Sequence, residues 1–429
     1  MNKVLITFII FLISISLFSQ KSVKIKGKKE TIYPFEINNN KLYFDWIKDN
    51  PNFDSIIVYG MGEATHGTKE FFDIKVKSFQ YLVTHKNYRI FGIEASYGEC
   101  NYINDYIQTG VGNIDTVMQY FSFWTWSTEE VKNLILWMQK YNQENDKKVI
   151  FYGFDMQDAY IPLKYLSDFL KPENSLSTKE LNEIIKPIIT KSKREIWSIT
   201  NKKNSAFKDT MSIIENKLEN WFVKYKNDLI KKHSEYKYKQ LKYNLITYIQ
   251  ANKLNYKDYN YRDSCMAENV IEIQKLENAK MFIWAHNGHI NKSSEYTTIR
   301  MGEYLYEKFQ RKYYSVGFVF SKGSFQSYTR KKINIGSKFK VTTLPIYKKN
   351  TFTNELDKLN ENIFFIDIQN SINRFFIHDL RTYFIGAVFI KKKWSSLKIN
   401  PKKQYDGIIY LNNTSRAVPI KSIIDKLNK

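Results

Sequence analysis

Short apolar runs alternate with stretches of helical spacing along most of the chain. The runs fall at residues 55–59, 89–95, 149–154, 280–285, 314–320, 362–368, 383–389 and 407–411. Apolar runs bounded by polar turns read as buried strands, and their separation by helices predicts a largely parallel sheet covered on both faces. After the first run, Phe72, Val76, Phe79 and Val83 recur at helical spacing, with Thr68 as a candidate N-cap. Ser127 and Glu130 stand in capping-box spacing ahead of an apolar face of Val131, Leu134, Ile135, Met138 and Tyr141. Before all of these, residues 20–50 are basic and polar, and a short helix is predicted around 40–48. From about 162 to 278 the pattern changes. This segment has no glycine, and apolar residues such as Ile213, Ile214, Leu218, Trp221 and Phe222 follow helical spacing. Because the strand pattern resumes after it, it reads as a helical insertion capping the carboxyl edge of the sheet. The fold class predicted is therefore α/β: a mostly parallel central sheet flanked by helices, with a helical insertion.

Composition adds limits to this picture. The chain has 429 residues, 43% of them hydrophobic and 16% aromatic. That suits a folded globular protein with a large core rather than a disordered one. Residues 4–18 are apolar behind Asn2 and Lys3, the layout of a secretory signal peptide over residues 1–19. A mature chain of residues 20–429, exported to the periplasm or beyond, is expected, with no stable membrane span after cleavage. Cys100 and Cys265 are the two cysteines, too far apart in sequence to say whether they pair. The net charge of +23 comes from lysines spread along the chain. It reads as a solvated basic surface, and no nucleic-acid partner is expected.

The candidate chemistry lies at the ends of the predicted strands. Glu63 and His66 follow the first run in GMGEATHGTKEFF. Glu94 ends RIFGIEA, Asp155 ends VIFYGFD, and His286 and His289 end MFIWAHNGHI. In open α/β sheets ligands bind beyond the carboxyl ends of strands, so parallel neighbours would bring these groups to one edge. A carboxylate three residues from an imidazole can fix its tautomer and raise its basicity. Singly, each has a plainer reading as a cap or a satisfied core residue; together they point to a site. The glycines at 62 and 67 resemble a phosphate loop, but Thr68 stands where its lysine must be. No G-x-S-x-G elbow is present, so a serine nucleophile is not supported. Glu63, His66, Glu94, His286 and His289 would also suit metal ligation, which keeps a metal-dependent hydrolase open as an alternative.

GEATHGTKEF, FGIEA, FWTWSTEEV, YGFD with Gln157, YRDSCMAEN, WAHNGHI and the late YDGIIYL occur here in the order seen in the erythromycin esterase family. Over roughly residues 50–415 the chain resembles that family. The resemblance implies hydrolysis of a carboxylic ester, with macrolide lactones as one candidate substrate, without a serine nucleophile; no metal or cofactor is expected. It implies that His66 is the base activating water, supported by Glu63, Glu94, His286 and His289. The family commonly carries Arg in the helix after GEATHG, near the reacting group, where this chain has Lys75. Asp155, Arg262 and Asp263 match further family positions, with Lys75, Asp155 and Arg262 as candidate substrate contacts. Trp124 and Trp126, in an aromatic stretch with Phe121 and Phe123, are candidates to wall a substrate cleft, with ordinary core packing the preferred reading for at least half of the four. A binding or polysaccharide-assembly protein that kept the fold without catalysis is the remaining alternative.

Overall fold

The computed structural model describes residues 20–37, 44–192, 195–196, 205–255, 258–293, 298–329, 338–345, 351–390 and 395–420. The expected signal peptide over residues 1–19 lies outside them. Two strands, β1 (Lys21–Ile25) and β2 (Lys28–Pro34), open the chain as an antiparallel hairpin. Its turn residues Lys26 and Gly27 both have positive φ, 49° and 80°, the conformation of a two-residue hairpin turn matched to strand twist. This hairpin is hidden in the sequence by its lysines. Of the helix expected around 40–48, the described part is one turn, Asp45–Lys48.

Then follow β3 (Val58–Met61), α1 (Lys69–Lys86), β4 (Tyr88–Ser96), α2 (Tyr97–Thr109), α3 (Glu129–Glu144) and β5 (Ile150–Asp155). Helices α4 (Ile161–Leu170), α5 (Leu176–Ile189), α6 (Ser205–Lys224), α7 (Lys226–His233), α8 (Glu235–Lys253) and α9 (Tyr259–Glu277) come next. The chain returns to strand at β6 (Lys280–Trp284), passes through α10 (Met301–Phe309), and forms β7 (Tyr313–Thr329) and β8 (Lys338–Leu344). It ends in β9 (Ile363–Asp367), β10 (Leu380–Tyr383), β11 (Val388–Phe389), β12 (Ser396–Ile399) and β13 (Gly407–Thr414). No described helix is long and apolar enough to cross a membrane.

The chain divides into two compact units. One is Met1–Arg89, Trp124–Leu134 and Ala279–Lys429; the other is Ile90–Phe123 and Ile135–Asn278. In the first unit β13, β7, β3 and β6 are successive parallel neighbours. The antiparallel strands β9, β2 and β1 extend it beyond β13, and β8 pairs antiparallel with the far half of β7. Every residue of β3 is buried, as a strand covered on both faces requires. In the second unit β4 and β5 pair in parallel, and α4 to α8 close around an apolar cluster that includes Leu166, Leu181, Leu218, Trp221, Leu241 and Tyr248. Helix α9 is anchored to β5 by Asn269, whose Nδ2 donates to the Phe154 carbonyl at 2.9 Å. Cys100 and Cys265 are separate buried thiols, and burial raises both pKa values.

Three local expectations need correction. The apolar run 383–389 is not one strand. It breaks after Tyr383, where Phe384 N–H turns to Ser395 O and Ile385 N–H to Ala64 O. Thr68 holds the N-cap position of α1, but its hydroxyl pairs with that of Thr65 at 2.6 Å instead of capping. The capping box is also absent. Thr128 Oγ1 accepts from Val131 N–H, and the Glu130 carboxylate accepts from Val418 N–H.

Candidate active site

The turn after β3 is tied down through its carbonyls. Glu63 O accepts from Asn287 N–H at 2.9 Å, Ala64 O from Ile385 N–H at 2.7 Å, and Gly67 O from both Gln326 and Ala417 N–H. Gly62 permits this close approach: a Cβ there would lie 2.2 Å from Asn287 Oδ1. That same amide donates to Phe318 O at 2.7 Å and accepts from Phe318 N–H at 3.0 Å, locking the β6 end to β7.

Within this frame Glu63 is fully buried and receives three donors. His66 Nδ1 lies 2.6 Å from Oε1; Lys75 Nζ at 2.6 Å and Trp284 Nε1 at 2.8 Å share Oε2. Lys75 is also fully buried, with its ammonium 4.4 Å from the Trp284 ring centroid. An ion pair removed from water needs such complementary bonds to offset desolvation. With Glu63 ionised, His66 donates through Nδ1–H and presents its Nε2 lone pair. The His66 side chain keeps 12% exposure, enough to meet a small reactant.

His286 stands beside it, the two imidazole centroids 5.1 Å apart. Gly288 N–H donates to His286 Nδ1 at 3.1 Å, and Nε2 faces Ile385 O at 3.2 Å. An accepting Nδ1 puts the proton on Nε2, so the backbone defines one neutral tautomer. Phe384 packs edge-on against this ring at 4.5 Å, and Gly288 leaves it room, since a Cβ there would sit 2.8 Å from the Phe384 ring. His289 lies three residues on, in the one-turn helix Asn287–Ile290, and is partly exposed.

A second cluster belongs to the other unit. Arg262, on α9, donates through one terminal nitrogen to Glu94 Oε1 at 2.8 Å and Asp155 Oδ2 at 2.7 Å, and through Nε to Asp155 Oδ1 at 3.2 Å. Burial opposes the guanidinium charge, but Asp155 and Glu94 outweigh it and raise the pKa well above its ordinary value. Asp155 also accepts from Met156 N–H and the Gln157 amide. Asp263 is buried.

The structure thus gathers Glu63, His66 and His286 in the first unit, and Glu94, Asp155 and Arg262 in the second. The candidate substrate contacts are placed as follows. Lys75 is buried, with its Nζ on Glu63 Oε2. Trp126, 1% exposed, backs His66 edge-on at 6.2 Å, and Trp124, 4% exposed, packs against Tyr328. Asp155 and Arg262 bind each other. Sequence reasoning missed Trp284, Phe384 and Ile385. Trp284 sits two residues before His286, where an apolar strand residue gives no polar signal. Phe384 and Ile385 sit inside a run that reads as strand. Among the described residues no three His, Cys, Asp or Glu side chains group closely enough to hold a metal ion.

The erythromycin esterase family model matches residues 83–414, most of the chain. The chain belongs to the erythromycin esterase family. The matched span begins after Glu63 and His66, so those two rest on the motif and the geometry. Erythromycin esterase type II of Escherichia coli is 24% identical over 293 residues, covering 62% of this chain and 68% of that protein. A putative hydrolase of Bacillus subtilis, YbfO, is 23% identical over 396 residues and 84% of each chain. Among solved structures, a succinoglycan biosynthesis protein superposes with a TM-score of 0.75 at 22% identity, covering 90% of this chain and 95% of that one. A mutant of the erythromycin esterase EreC in its open conformation gives 0.63 at 16% identity, covering 89% and 97%. At these identities the structures establish the fold, and family membership points to ester hydrolysis.

Proposed function

We propose that this protein hydrolyses carboxylic esters by a water that His66 deprotonates. The observation carrying this reading is the Glu63–His66 contact of 2.6 Å, which directs the Nδ1 proton to the carboxylate and leaves Nε2 as the base. Water gives its proton to Nε2 as its oxygen bonds to the ester carbonyl carbon. The tetrahedral oxyanion then collapses, the C–O bond breaks, and the imidazolium returns the proton to the departing alkoxide. The products are an acid and an alcohol. His289, partly exposed in the one-turn helix that His286 begins, is the donor we assign to the oxyanion. Glu94 is assigned a supporting catalytic role on the family resemblance alone. Macrolide lactones are one member of the substrate class proposed. We also propose export, for which N-terminal sequencing of the protein from its host is expected to begin near Gln20.

The test is hydrolysis of a panel of macrolides and simple esters by the mature protein beside His66→Ala. A general base is worth ~10²–10⁴-fold, so the variant is expected to stay folded and lose about that much activity. Activity that survives in folded His66→Ala would overturn the role. A chelator arm is expected to leave turnover unchanged; loss that zinc restores would select metal-dependent hydrolysis instead.

A further inference from the structure

After β13 the chain does not simply leave the sheet. Residues 415–420 run across the first turns of α1 and α3 and make the same set of contacts twice, three residues apart. At α1, Lys69 N–H donates to Ser415 O at 3.0 Å, the Glu70 carboxylate accepts Ser415 N–H at 2.8 Å, and Gly67 O accepts Ala417 N–H at 2.9 Å. At α3, Glu129 N–H donates to Val418 O at 2.8 Å, the Glu130 carboxylate accepts Val418 N–H at 3.1 Å, and Ser127 O accepts Ile420 N–H at 3.0 Å. Single β-bridges complete the repeat, Thr68 with Arg416 and Thr128 with Pro419. At each helix a carbonyl of this distant segment receives the first N–H, and a glutamate in the first turn closes the loop.

The two ends joined in this way carry the His66 turn and the Trp124–Trp126 turn. Gly67 follows His66 directly, Ser127 follows Trp126 directly, and those two rings face each other edge-on at 6.2 Å. We infer that Glu70 and Glu130 are positioning residues, acting through the strap 415–420 to hold the His66 ring and its Trp126 backing in one geometry. This inference rests on the proposed role of His66 for its kinetic consequence, but not for its structural one. Neither glutamate touches the reacting atoms. Each fixes a backbone segment to which a ring of the site is attached.

The experiment is hydrogen exchange of the full chain, with kcat and KM on the best ester of the panel, for Glu70→Ala and Glu130→Ala. Glu70→Gln and Glu130→Gln keep an acceptor oxygen and serve as conservative controls. Each alanine variant is expected to speed exchange at both 63–69 and 124–131, because the strap makes them one body. kcat is expected to fall about tenfold with KM within about twofold, since small misplacement of a base acts on the chemical step, and the Gln variants are expected to recover most of it. Loosening confined to the mutated helix end, or loosening at both ends with kcat unchanged, would overturn the inference. Should an alanine variant fail to fold, Ser415→Ala removes only the hydroxyl contact with Glu70 and is read the same way. If wild type hydrolyses no ester, the reading of His66 fails, while exchange still decides whether the strap couples the two ends.

Discussion

Around Glu63 one carboxylate receives an imidazole, an ammonium and an indole; around Arg262 one guanidinium serves two carboxylates. The first group is formally neutral when His66 is neutral, and its donors leave one imidazole nitrogen over. The second carries a negative charge in excess, and its members bond to one another. The difference follows from cation geometry. An ammonium is a point charge that can settle on a single oxygen, whereas a planar guanidinium fork spans several. Lys75 therefore fits under one carboxylate that must also orient a histidine. Arg262 fits where β4 and β5 present acids side by side. The first arrangement holds an imidazole by its Nδ1; the second ties α9 to the ends of β4 and β5.

Lys75→Met should break the first cluster most severely. It leaves Glu63 buried without its cation, and removing one partner of a buried pair costs about 3–5 kcal/mol. Urea unfolding is expected to show that loss, and wild-type stability in this variant would mean the pair is replaceable and the contrast with Arg262 empty. Arg262→Lys tests the fork itself. A point charge can keep one of the two carboxylates, so a loss of about 1.5–3 kcal/mol, the worth of a hydrogen bond to a charged group, is expected by the same measurement. No loss would show that planarity is irrelevant there.

A third carboxylate sharpens the comparison. Asp158 accepts the N–H groups of Tyr160 and Ile161 at 2.8 and 3.2 Å, ahead of α4. Burial pushes its carboxyl up to about 6 from 3.8, against the pull of those two N–H groups. A raised carboxyl pKa means that folding favours the proton. Its stabilising contribution is therefore complete below the unfolded value and is lost as pH rises through the folded one. Asp158→Asn keeps an acceptor for both N–H groups and carries no charge. It is expected to be more stable than wild type at pH 8 by ~1–2 kcal/mol, allowing for partial exposure, and to lose the slope between about pH 4 and 6. A wild-type slope retained by the Asn variant would place the titration on another group.

Much of the architecture was legible in residue order. β3, β4, β5, β6, β9 and β13 were marked by buried apolar runs, because a strand covered on both faces has little choice of composition. Glu63 and His66 were legible because three residues across a tight turn keep two side chains neighbours whatever the rest of the chain does. The β1–β2 hairpin was not, since one face in water let lysines hide its alternation.

What lay beyond residue order was partner choice. Nothing local tells Lys75 to go under Glu63, or Glu130 to reach the distant Val418 N–H. Those outcomes depend on which segments arrive beside them, Trp284 in the one case and residues 415–420 in the other. Apolar burial is set by side-chain chemistry and reads directly from spacing. A hydrogen-bond partner is set by where distant backbone comes to rest, and that is decided by packing.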